Sequence, residues 1–573
     1  MKTLNLAPLA ATAALAGALL LPNLAQACGG TFCDQGPQAM PVDQTGENIL
    51  FHIGDGFVEA HIQIQYDPDA EAEQFAWVIP VTAIPTFSVG SDNLFSTMLN
   101  ASVPSYGLTV SNEFCGEETE DGWGGDDLGE DEAGSDEGTD GGNGNPNVVL
   151  ETTVGAFEIA VLDGGTVEGV MTWLNDNGYQ QDPAAEPILG EYLADGHLFV
   201  ALKLTNDAEV SEIHPVTLRY DGDESCVPIK LTRIAAVENM DIRVFFLQDA
   251  RTVPVNYRHV LVNPLKIDWF NNAANYKEVI TMAVDADMAN GNAFVTEYAG
   301  PSSVINRNRV HQLGWDPSGL DAFADSPVGV IEALEGKGIL ECDLEWNNEC
   351  IYNHPLLRGM LQEFIPAPEG VDESVFYDCM SCYEEDVDLA AWDAAAFAER
   401  MQERITDPGL AARALLDENS YLTRMYTTIS PAEMMEDPIF RINDTLPEVQ
   451  RTRIASQNNL CNGVTEVTLP DGRVVAFDNP NPVWPEFPDE MPWEEDVDQE
   501  SMAENAPLIN LVDNTDLIDQ MLAEHNEKAR ANAIQNAEGG SCTCSASDEQ
   551  RGGHGLFGLA ILGALGLGLR RRR

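Results

Sequence analysis

Segments in which apolar and polar residues alternate recur over the first 300 residues, and they limit this part of the chain to a fold built mainly from sheet. Ile49–Ile53 and Phe57–Tyr66 flank a Gly-Asp-Gly turn at 54–56, a pattern typical of a hairpin. In the second segment every other residue is apolar. This period of two predicts a strand with one buried and one wet side, and it places His61 at the surface.

The same periodicities predict further strands and a few helices before residue 300. Strands are predicted at Phe75–Val81, Ala156–Leu162, His197–Thr205, Pro215–Tyr220, Ile242–Leu247, Val253–Val262 and Ala293–Tyr298. Helices are predicted at Val167–Asn177, with Thr166 as the N-cap, and at Ile188–Ala194 and Tyr276–Val284. Because strands dominate, residues 28–300 are predicted to form an α+β domain with a largely antiparallel sheet.

Helical signals become stronger from residue 301 onward. They predict helices at Pro355–Phe364, Leu389–Ile405 and Gly409–Met425. Cys461–Phe477 predicts a hairpin that turns at Pro470–Arg473. Residues 301–477 are therefore expected to form a mixed region of helices and hairpins.

Two C-terminal segments are predicted to extend from this body. Residues 478–500 are rich in proline and acidic residues, which predicts an extended, semi-rigid linker. Its aromatic side chains Trp484, Phe487 and Trp493 are predicted to dock back on the domain. Residues 501–540, with a helix at Leu508–Gln535, are predicted to be a helical spacer.

The chain is strongly acidic, with 95 acidic against 29 basic residues and a formal net charge of -66. Such a surface repels phosphate, which excludes nucleic acid as a partner. Gly116–Asn145 consists almost wholly of Gly, Asp and Glu and is predicted to be a disordered insertion, since it cannot support a core. It lacks the calcium-loop pattern, so a solvated acidic loop is favoured over calcium binding, and no other cofactor is predicted.

Both ends of the chain carry the features of an exported, anchored protein. Met1–Ala27 has an early lysine, an apolar stretch and small residues before Cys28, which predicts a secretory signal peptide. The tail, residues 541–573, has an apolar run at Gly555–Leu569 followed by four arginines, Arg570, Arg571, Arg572 and Arg573. Arginines favour the cytoplasmic side of a membrane, so the tail is predicted to anchor an external body. A plain C-terminal membrane helix is the alternative.

Nine cysteines lie between leader and tail, and an exported chain is expected to form disulfides with them. They are Cys28, Cys33, Cys115, Cys226, Cys342, Cys350, Cys379, Cys382 and Cys461. The closely spaced pairs are Cys28–Cys33, Cys342–Cys350 and Cys379–Cys382, while Cys115 and Cys226 could close the acidic insertion. A redox site at Cys379–Cys382 is a weaker alternative, because acidic neighbours raise a thiol pKa. A zinc site formed by Cys342, Cys350, Cys379 and Cys382 is another weaker alternative.

Several segments resemble the bacterial family catalogued as domain of unknown function 2330. They lie between Cys28 and Phe477: the Cys28–Cys33 loop, Gly46-Glu47, Ala60–Tyr66, Phe75–Val81, Val89–Asp92, Phe199–Leu204, Asn275-Tyr276, Ala293–Gly300 and Leu422–Thr428. The resemblance implies no catalytic residue. The tail is similar to a myxobacterial-type sorting signal, which implies cleavage near Cys542 or Cys544 by a processing protease and transfer to the cell surface.

Motifs of known catalytic chemistry are missing from the sequence. It contains no His-Glu-x-x-His, no Gly-x-Ser-x-Gly and no phosphate-binding loop with lysine. We therefore expect a non-catalytic surface protein that binds a partner, a glycan or a cation. An exported hydrolase with a site assembled from distant residues, or a calcium-dependent adhesin, is the alternative.

Overall fold

The computed structural model describes residues 48–63, 76–113, 146–177, 185–205, 213–222, 225, 227–233, 236, 238–343, 349–461, 464–479, 481–500 and 507–539. Its helices are α1 Asp92–Ser102, α2 Val167–Asp176, α3 Ala185–Ala194, α4 Ile229–Thr232, α5 Tyr276–Val284, α6 Arg307–Val310, α7 Gly329–Gly336, α8 Pro355–Phe364, α9 Glu373–Asp378, α10 Ala394–Met401, α11 Asp407–Glu418 and α12 Thr515–Gly539. The predicted leader, acidic insertion and sorting tail lie outside the described residues.

Strands and helices are both abundant, so the predicted α+β class is confirmed. The strands are β1 Asn48–Ile53, β2 Phe57–Gln63, β3 Ala76–Val81, β4 Thr86–Val89, β5 Ser105–Asn112, β6 Asn147–Val154, β7 Phe157–Asp163, β8 Leu198–Leu204, β9 Val216–Asp221, β10 Met240–Gln248, β11 Thr252–Pro254, β12 Arg258–Val262, β13 Ala293–Pro301, β14 Leu340–Asp343, β15 Glu349–Tyr352, β16 Tyr421–Ile429, β17 Phe440–Ile442, β18 Thr452–Asn459, β19 Thr465–Thr468, β20 Val474–Phe477, β21 Glu494–Gln499 and β22 Ile509–Asp513.

A ten-stranded sheet, the central sheet, runs in the order β22-β21-β12-β13-β16-β10-β1-β2-β9-β4. Only the pairs β1–β10 and β12–β13 are parallel, so the sheet is largely antiparallel as predicted. Its strands come from both sides of residue 300, because β16, β21 and β22 pair with strands of the first 300 residues. Hydrogen bonding therefore joins the two predicted regions in one sheet.

The predicted first hairpin is present, but the side of its second strand that was predicted to face water is buried at His61. Gly56 has the positive φ of 85° that the turn requires, and Val58 and Ala60 face the core. His61, predicted at the surface, is only 4% exposed, so this prediction is wrong. It lies opposite Leu50, which packs against helix α1, so a helix covers the side that period two marks as wet. His61 satisfies its ring nitrogens with Glu59 at 2.8 Å and Thr217 at 3.0 Å.

Two smaller sheets flank the central sheet. Sheet β3-β8-β7-β6 packs its apolar side chains on one face of the central sheet, and α2 and α3 cover its outer face. Helix α2 begins after Thr166, whose hydroxyl accepts from Gly169 N, and this confirms the predicted N-cap. Sheet β20-β19-β18-β5 and helices α5 and α12 share a second core with the far end of the central sheet.

Helices α7 to α10 and the β14–β15 hairpin surround a separate core. Cys342 is bonded to Cys350 and Cys379 to Cys382, as their spacing predicts, so neither pair is a zinc ligand set. Cys461 is also disulfide-bonded, and its backbone N–H donates to the Glu113 carboxylate. Cys28, Cys33, Cys115 and Cys226 lie outside the described residues.

Three predicted elements have different bounds in the structure. The helix expected at Gly409–Met425 stops at Glu418, and Tyr421–Ile429 is strand β16. Inside the central sheet β16 hydrogen-bonds to β10 and β13, and this pairing outweighs helix propensity. The strand expected at Val253–Val262 is split into β11 and β12, while the helix expected from Leu508 begins only at Thr515.

The segments predicted as linker and spacer are packed on the body. Trp484 and Phe487 are each 8% exposed and belong to the second core, which confirms that they dock back. The predicted linker also contains β21, which forms the edge of the central sheet together with β22. Ile518 and Leu522 of α12 join the same core. Burial of these side chains ties residues 481–500 and 507–539 to the fold.

Candidate functional site

A polar groove of about 600 Å³ runs along helix α1. One wall is the exposed side of α1, formed by Asn93, Ser96, Thr97, Asn100 and Ala101. The other wall consists of Val304, Asn306, Asn308, Arg309, Gln312, Trp315 and Asn353. Amides and hydroxyls predominate, and Arg309 is the one charged side chain among these lining residues. The groove therefore offers mainly neutral hydrogen-bond donors and acceptors.

The pattern of α1 explains why its amides face the groove. Leu94, Phe95, Met98 and Leu99 form an apolar stripe that packs on the central sheet. Residues at helical spacing on the opposite side are left for the groove. The hydroxyl of Ser91 accepts from Leu94 N at 3.3 Å and caps the first turn.

The opposite wall is held by the half-buried Arg307 and by hydrogen bonds to the two residues that precede β16. Arg307 donates from Nη1 to the carbonyls of Ser302 at 2.8 Å and Ile305 at 3.1 Å. Ser302 in turn donates from N to Ser420 O at 2.7 Å and from Oγ to Asn419 O at 2.7 Å. The Asn306 side chain caps the following turn by accepting from Asn308 N. These bonds fix the wall before any ligand arrives.

A buried ion pair holds the C-terminal end of α1. Arg424 Nε lies 2.5 Å from Glu297 Oε2, and the two side chains are 4% and 3% exposed. Arg424 Nη1 also donates to Leu99 O at 3.1 Å and Ser102 Oγ at 3.4 Å. Leu99 O also accepts from Val103 N at 3.1 Å, so the arginine adds a second hydrogen bond to this carbonyl at the helix end. The groove wall is tied to β13 and β16 through this arginine.

Buried phenols extend this polar layer behind the groove. Tyr426 donates to the Asp241 carboxylate, which also pairs with Lys277 at 2.9 Å. Burial and the neighbouring Asp241 raise the pKa of Tyr426 well above its ordinary value. Burial and the charge of Glu297 do the same for Tyr276. Both phenols therefore stay protonated at neutral pH, and Tyr426 donates to Asp241.

Two N–H groups at the groove have no acceptor. Asn93 is 7% and Trp315 2% exposed, and among the described residues neither Asn93 Nδ2 nor Trp315 Nε1 meets an acceptor. Trp315 is fixed by Thr406, whose hydroxyl donates to Trp315 O at 2.9 Å. The rings of His311 and His354 stand edge-on to the indole at 5.7 and 6.1 Å. Burial lowers the pKa of His311 to about 4 and of His354 to about 3, so both are neutral.

Asp92, at the first turn of α1, gives the site a pH-dependent stability. Burial raises the pKa of its carboxyl from 3.8 to about 7, and the Arg404 charge opposes this only partly. The folded chain therefore binds more protons than the unfolded chain between about pH 4 and pH 7, and this contribution to stability is lost as pH rises through 7.

We expect Asp92→Asn to raise the free energy of unfolding at pH 8 by about 2–3 kcal/mol. A shift of about three pKa units corresponds to about 4 kcal/mol, reduced by partial solvent access and by the lost helix-dipole contact. At pH 4 variant and parent should agree to within about 0.5 kcal/mol. Urea unfolding at both pH values measures this, and a variant less stable than the parent at pH 8 would contradict it.

The lining residues include the hydroxyls of Ser96 and Thr97 but no side chain that usually serves as a general base. None carries a carboxylate, an imidazole or a thiol. Across the described residues no group of three or more His, Cys, Asp or Glu side chains is placed to hold a metal ion. Within the same residues no helix is long and apolar enough to cross a membrane.

Sequence reasoning missed the groove, although some resemblance segments lie near it. Val89–Asp92 leads into α1, while Ala293–Gly300 and Leu422–Thr428 supply Glu297 and Arg424. The spacing of Asn93, Ser96, Thr97 and Asn100 was the available signal, since it marks one side of a helix. The disulfide candidates that the structure describes lie outside the groove lining.

Comparison with known proteins gives a family but no characterised relative. No curated protein and no solved structure matches the chain. A family model described as an uncharacterized protein conserved in bacteria matches residues 22–316, just over half of the chain. The match includes α1 and the groove wall up to Trp315, whereas Leu422–Thr428 lies beyond it. The chain therefore belongs to this uncharacterised bacterial family, DUF2330.

Proposed function

We propose that this chain is an exported, surface-anchored, non-catalytic binding protein whose groove takes a neutral, hydroxyl-rich ligand, a glycan. The observation that carries the proposal is the neutral amide lining of the groove. Amides present donors and acceptors side by side, which is what the hydroxyls of a sugar require. The immobile walls support binding because little side-chain entropy remains to be lost.

Charge supports a neutral ligand. The chain as a whole carries -66, yet no lining residue is acidic. An anionic ligand would be repelled by the surrounding surface, and a cationic one would find no carboxylate in the groove to pair with. A sugar without charged groups avoids both costs.

The two ends of the chain support export and anchoring. Met1–Ala27 supports export, and Cys542 or Cys544 with Arg570–Arg573 supports processing and attachment at the cell surface. A glycan-binding groove on an external body would meet polysaccharides of the envelope or of other cells. Calcium remains a separate, weaker proposal, tied to the acidic composition of Gly116–Asn145.

Replacing Asn100 and Gln312 by alanine is expected to weaken glycan binding. Each amide can contribute about 0.5–1.5 kcal/mol through hydrogen bonds, so the double variant should lose about tenfold in Kd. Isothermal titration with a panel of neutral oligosaccharides measures the loss. Asn532→Ala is the matched control, because Asn532 is also an exposed helical asparagine but lies on α12, outside the groove lining.

The panel also contains acidic and basic oligosaccharides of similar length. Binding of neutral members that the double variant weakens and the control leaves unchanged is the expected pattern. If no neutral oligosaccharide binds the parent protein, or if Asn532→Ala weakens binding as much as the double variant, the proposal is wrong.

A further inference from the structure

The Cys379–Cys382 disulfide joins one buried and one exposed cysteine. Cys379 directly follows α9 and is 7% exposed, whereas Cys382 is exposed. The two cysteines are three residues apart, and inside the ring Cys382 N donates to Cys379 O at 3.0 Å. An attacking thiolate must reach one of the two sulfurs, so the difference in exposure favours reaction at Cys382.

The Cys342–Cys350 disulfide is more shielded. It joins directly opposite residues of β14 and β15, and the hydrogen bonds of that hairpin hold the two cysteines together. Cys342 is half-buried and Cys350 is 7% exposed, and both pack against the core that α7 to α10 surround. Cys350 Sγ lies 3.4 Å from Asp378 O. This disulfide is therefore an internal reference that should react more slowly with the same thiol.

The carboxylates near Cys382 repel negatively charged thiols. Residues 378–388 include five acidic side chains and no lysine or arginine. Glu384 and Glu385 follow Cys382 within three residues and are exposed. Arg358 of α8 stacks over a tyrosine ring of α9 at 5.7 Å, which leaves the negative charge in excess. Coulomb repulsion therefore opposes a thiolate that also carries a carboxylate more than one that carries an ammonium group.

We infer that the Cys379–Cys382 disulfide is a thiol-exchange site, where the Cys382 sulfur forms a mixed disulfide with a small thiol that has no carboxylate. The incoming sulfur bonds to Cys382 Sγ, and the bond between the two cysteines breaks. Cys379 Sγ leaves with the electron pair and takes up the proton that the incoming thiol lost. One S–S bond replaces another, so the step needs no oxidant or reductant besides the thiol. This modification is independent of the proposed glycan groove.

Peptide mapping of the folded full chain tests which sulfur is attacked. The protein is treated with cysteamine at pH 8, and free thiols are then trapped with iodoacetamide. Tryptic peptides 338–358 and 359–400 separate the two disulfides. Cysteamine is expected on Cys382 and the alkyl group on Cys379, at least about tenfold more often than either label on Cys342 or Cys350, because exposure governs access to the sulfur.

A series of three small thiols tests the selection by charge. The thiolates of cysteamine, mercaptoethanol and mercaptopropionate carry no net charge, one negative charge and two negative charges. Each rate is divided by the rate of the same thiol with neutral hydroxyethyl disulfide, which removes differences in intrinsic reactivity. At low ionic strength the normalised rate of cysteamine should exceed that of mercaptopropionate by about fivefold or more, and about 1 M sodium chloride should reduce the ratio below about twofold.

A charge variant locates the repulsion. Glu384→Gln with Glu385→Gln is expected to raise the rate of mercaptopropionate by about threefold at low ionic strength and to leave the rate of cysteamine nearly unchanged. Glu524→Gln with Glu527→Gln is the matched control, because it removes the same charge from exposed positions on α12. The control should change neither rate.

Four results would overturn the inference. The first is labelling of Cys342 or Cys350 as fast as that of Cys379 and Cys382. The second is an adduct on Cys379 with the alkyl group on Cys382. The third is no adduct under conditions that fully convert hydroxyethyl disulfide. The fourth is equal normalised rates for the three thiols, which would show that the carboxylates do not select the thiol.

Discussion

Replacing Arg424 with methionine is expected to lower the free energy of unfolding by about 3–5 kcal/mol, because it leaves the Glu297 carboxylate buried without its cation. The two side chains are 4% and 3% exposed, so water cannot take over the role of the guanidinium. The substitution also removes the donors to Leu99 O and Ser102 Oγ at the end of α1. Urea unfolding at pH 7 gives the value directly.

A double-mutant cycle isolates the pair. The double variant Arg424→Met with Glu297→Leu should lose less free energy of unfolding than the two single variants lose in sum. The difference should be at least about 1 kcal/mol, because no unpaired charge remains in the double variant. Arg530→Met is the control, since Arg530 pairs with Glu466 at 2.9 Å but is 49% exposed. Its loss should stay below about 1 kcal/mol. Similar losses of free energy of unfolding in Arg424→Met and Arg530→Met would show that the buried pair contributes no more to stability than the exposed pair.

A chain that ends at Asp478 is expected not to fold. It would lose Trp484, Phe487, Met491, Val497, Ile518 and Leu522, all buried in the second core. Each contributes about 1.5–3 kcal/mol, and the sum matches or exceeds the 5–15 kcal/mol that stabilise a typical domain. Loss of β21 and β22 would also expose β12 as an unprotected sheet edge.

Size-exclusion chromatography and near-ultraviolet circular dichroism measure this outcome. The shortened chain should aggregate or lose its aromatic signal, whereas a chain that ends at Gly539 retains every core contact described for α12 and should keep it. If the linker and spacer only extended from the body without packing on it, the chain that ends at Asp478 would still fold. Cooperative folding of the chain that ends at Asp478 would therefore favour that simpler organisation.

Local patterns were sufficient where neighbours in the sequence decide the structure. The first hairpin, helix α5 at Tyr276–Val284 and helix α8 at Pro355–Phe364 agree with prediction, and the two short-range cysteine pairs are bonded. In each case the determining interactions span a turn or a few residues. Periodicity and spacing record such interactions directly.

Patterns failed where a distant part of the chain covers or extends an element. His61 has the alternation of a wet side, but it is buried beside Thr217 and opposite Leu50, which packs against α1. Tyr421–Ile429 carries a helical signal, but two neighbouring strands hold it in the central sheet. Glu494–Gln499 has the composition of a linker, but it forms strand β21 of the central sheet. Propensity is a weak prior, and burial against a partner overrides it.

The α+β class, the acidic charge and the short-range elements can be predicted from the residues alone, because these depend on composition and on contacts within a turn. The groove depends on long-range contacts. Its walls are separated by about 200 residues in the chain, and the Arg424 that holds α1 lies more than 300 residues from Leu99. Neither wall has a binding motif of its own. The groove exists because the central sheet brings them together, and its buried donors become unpaired only in that arrangement.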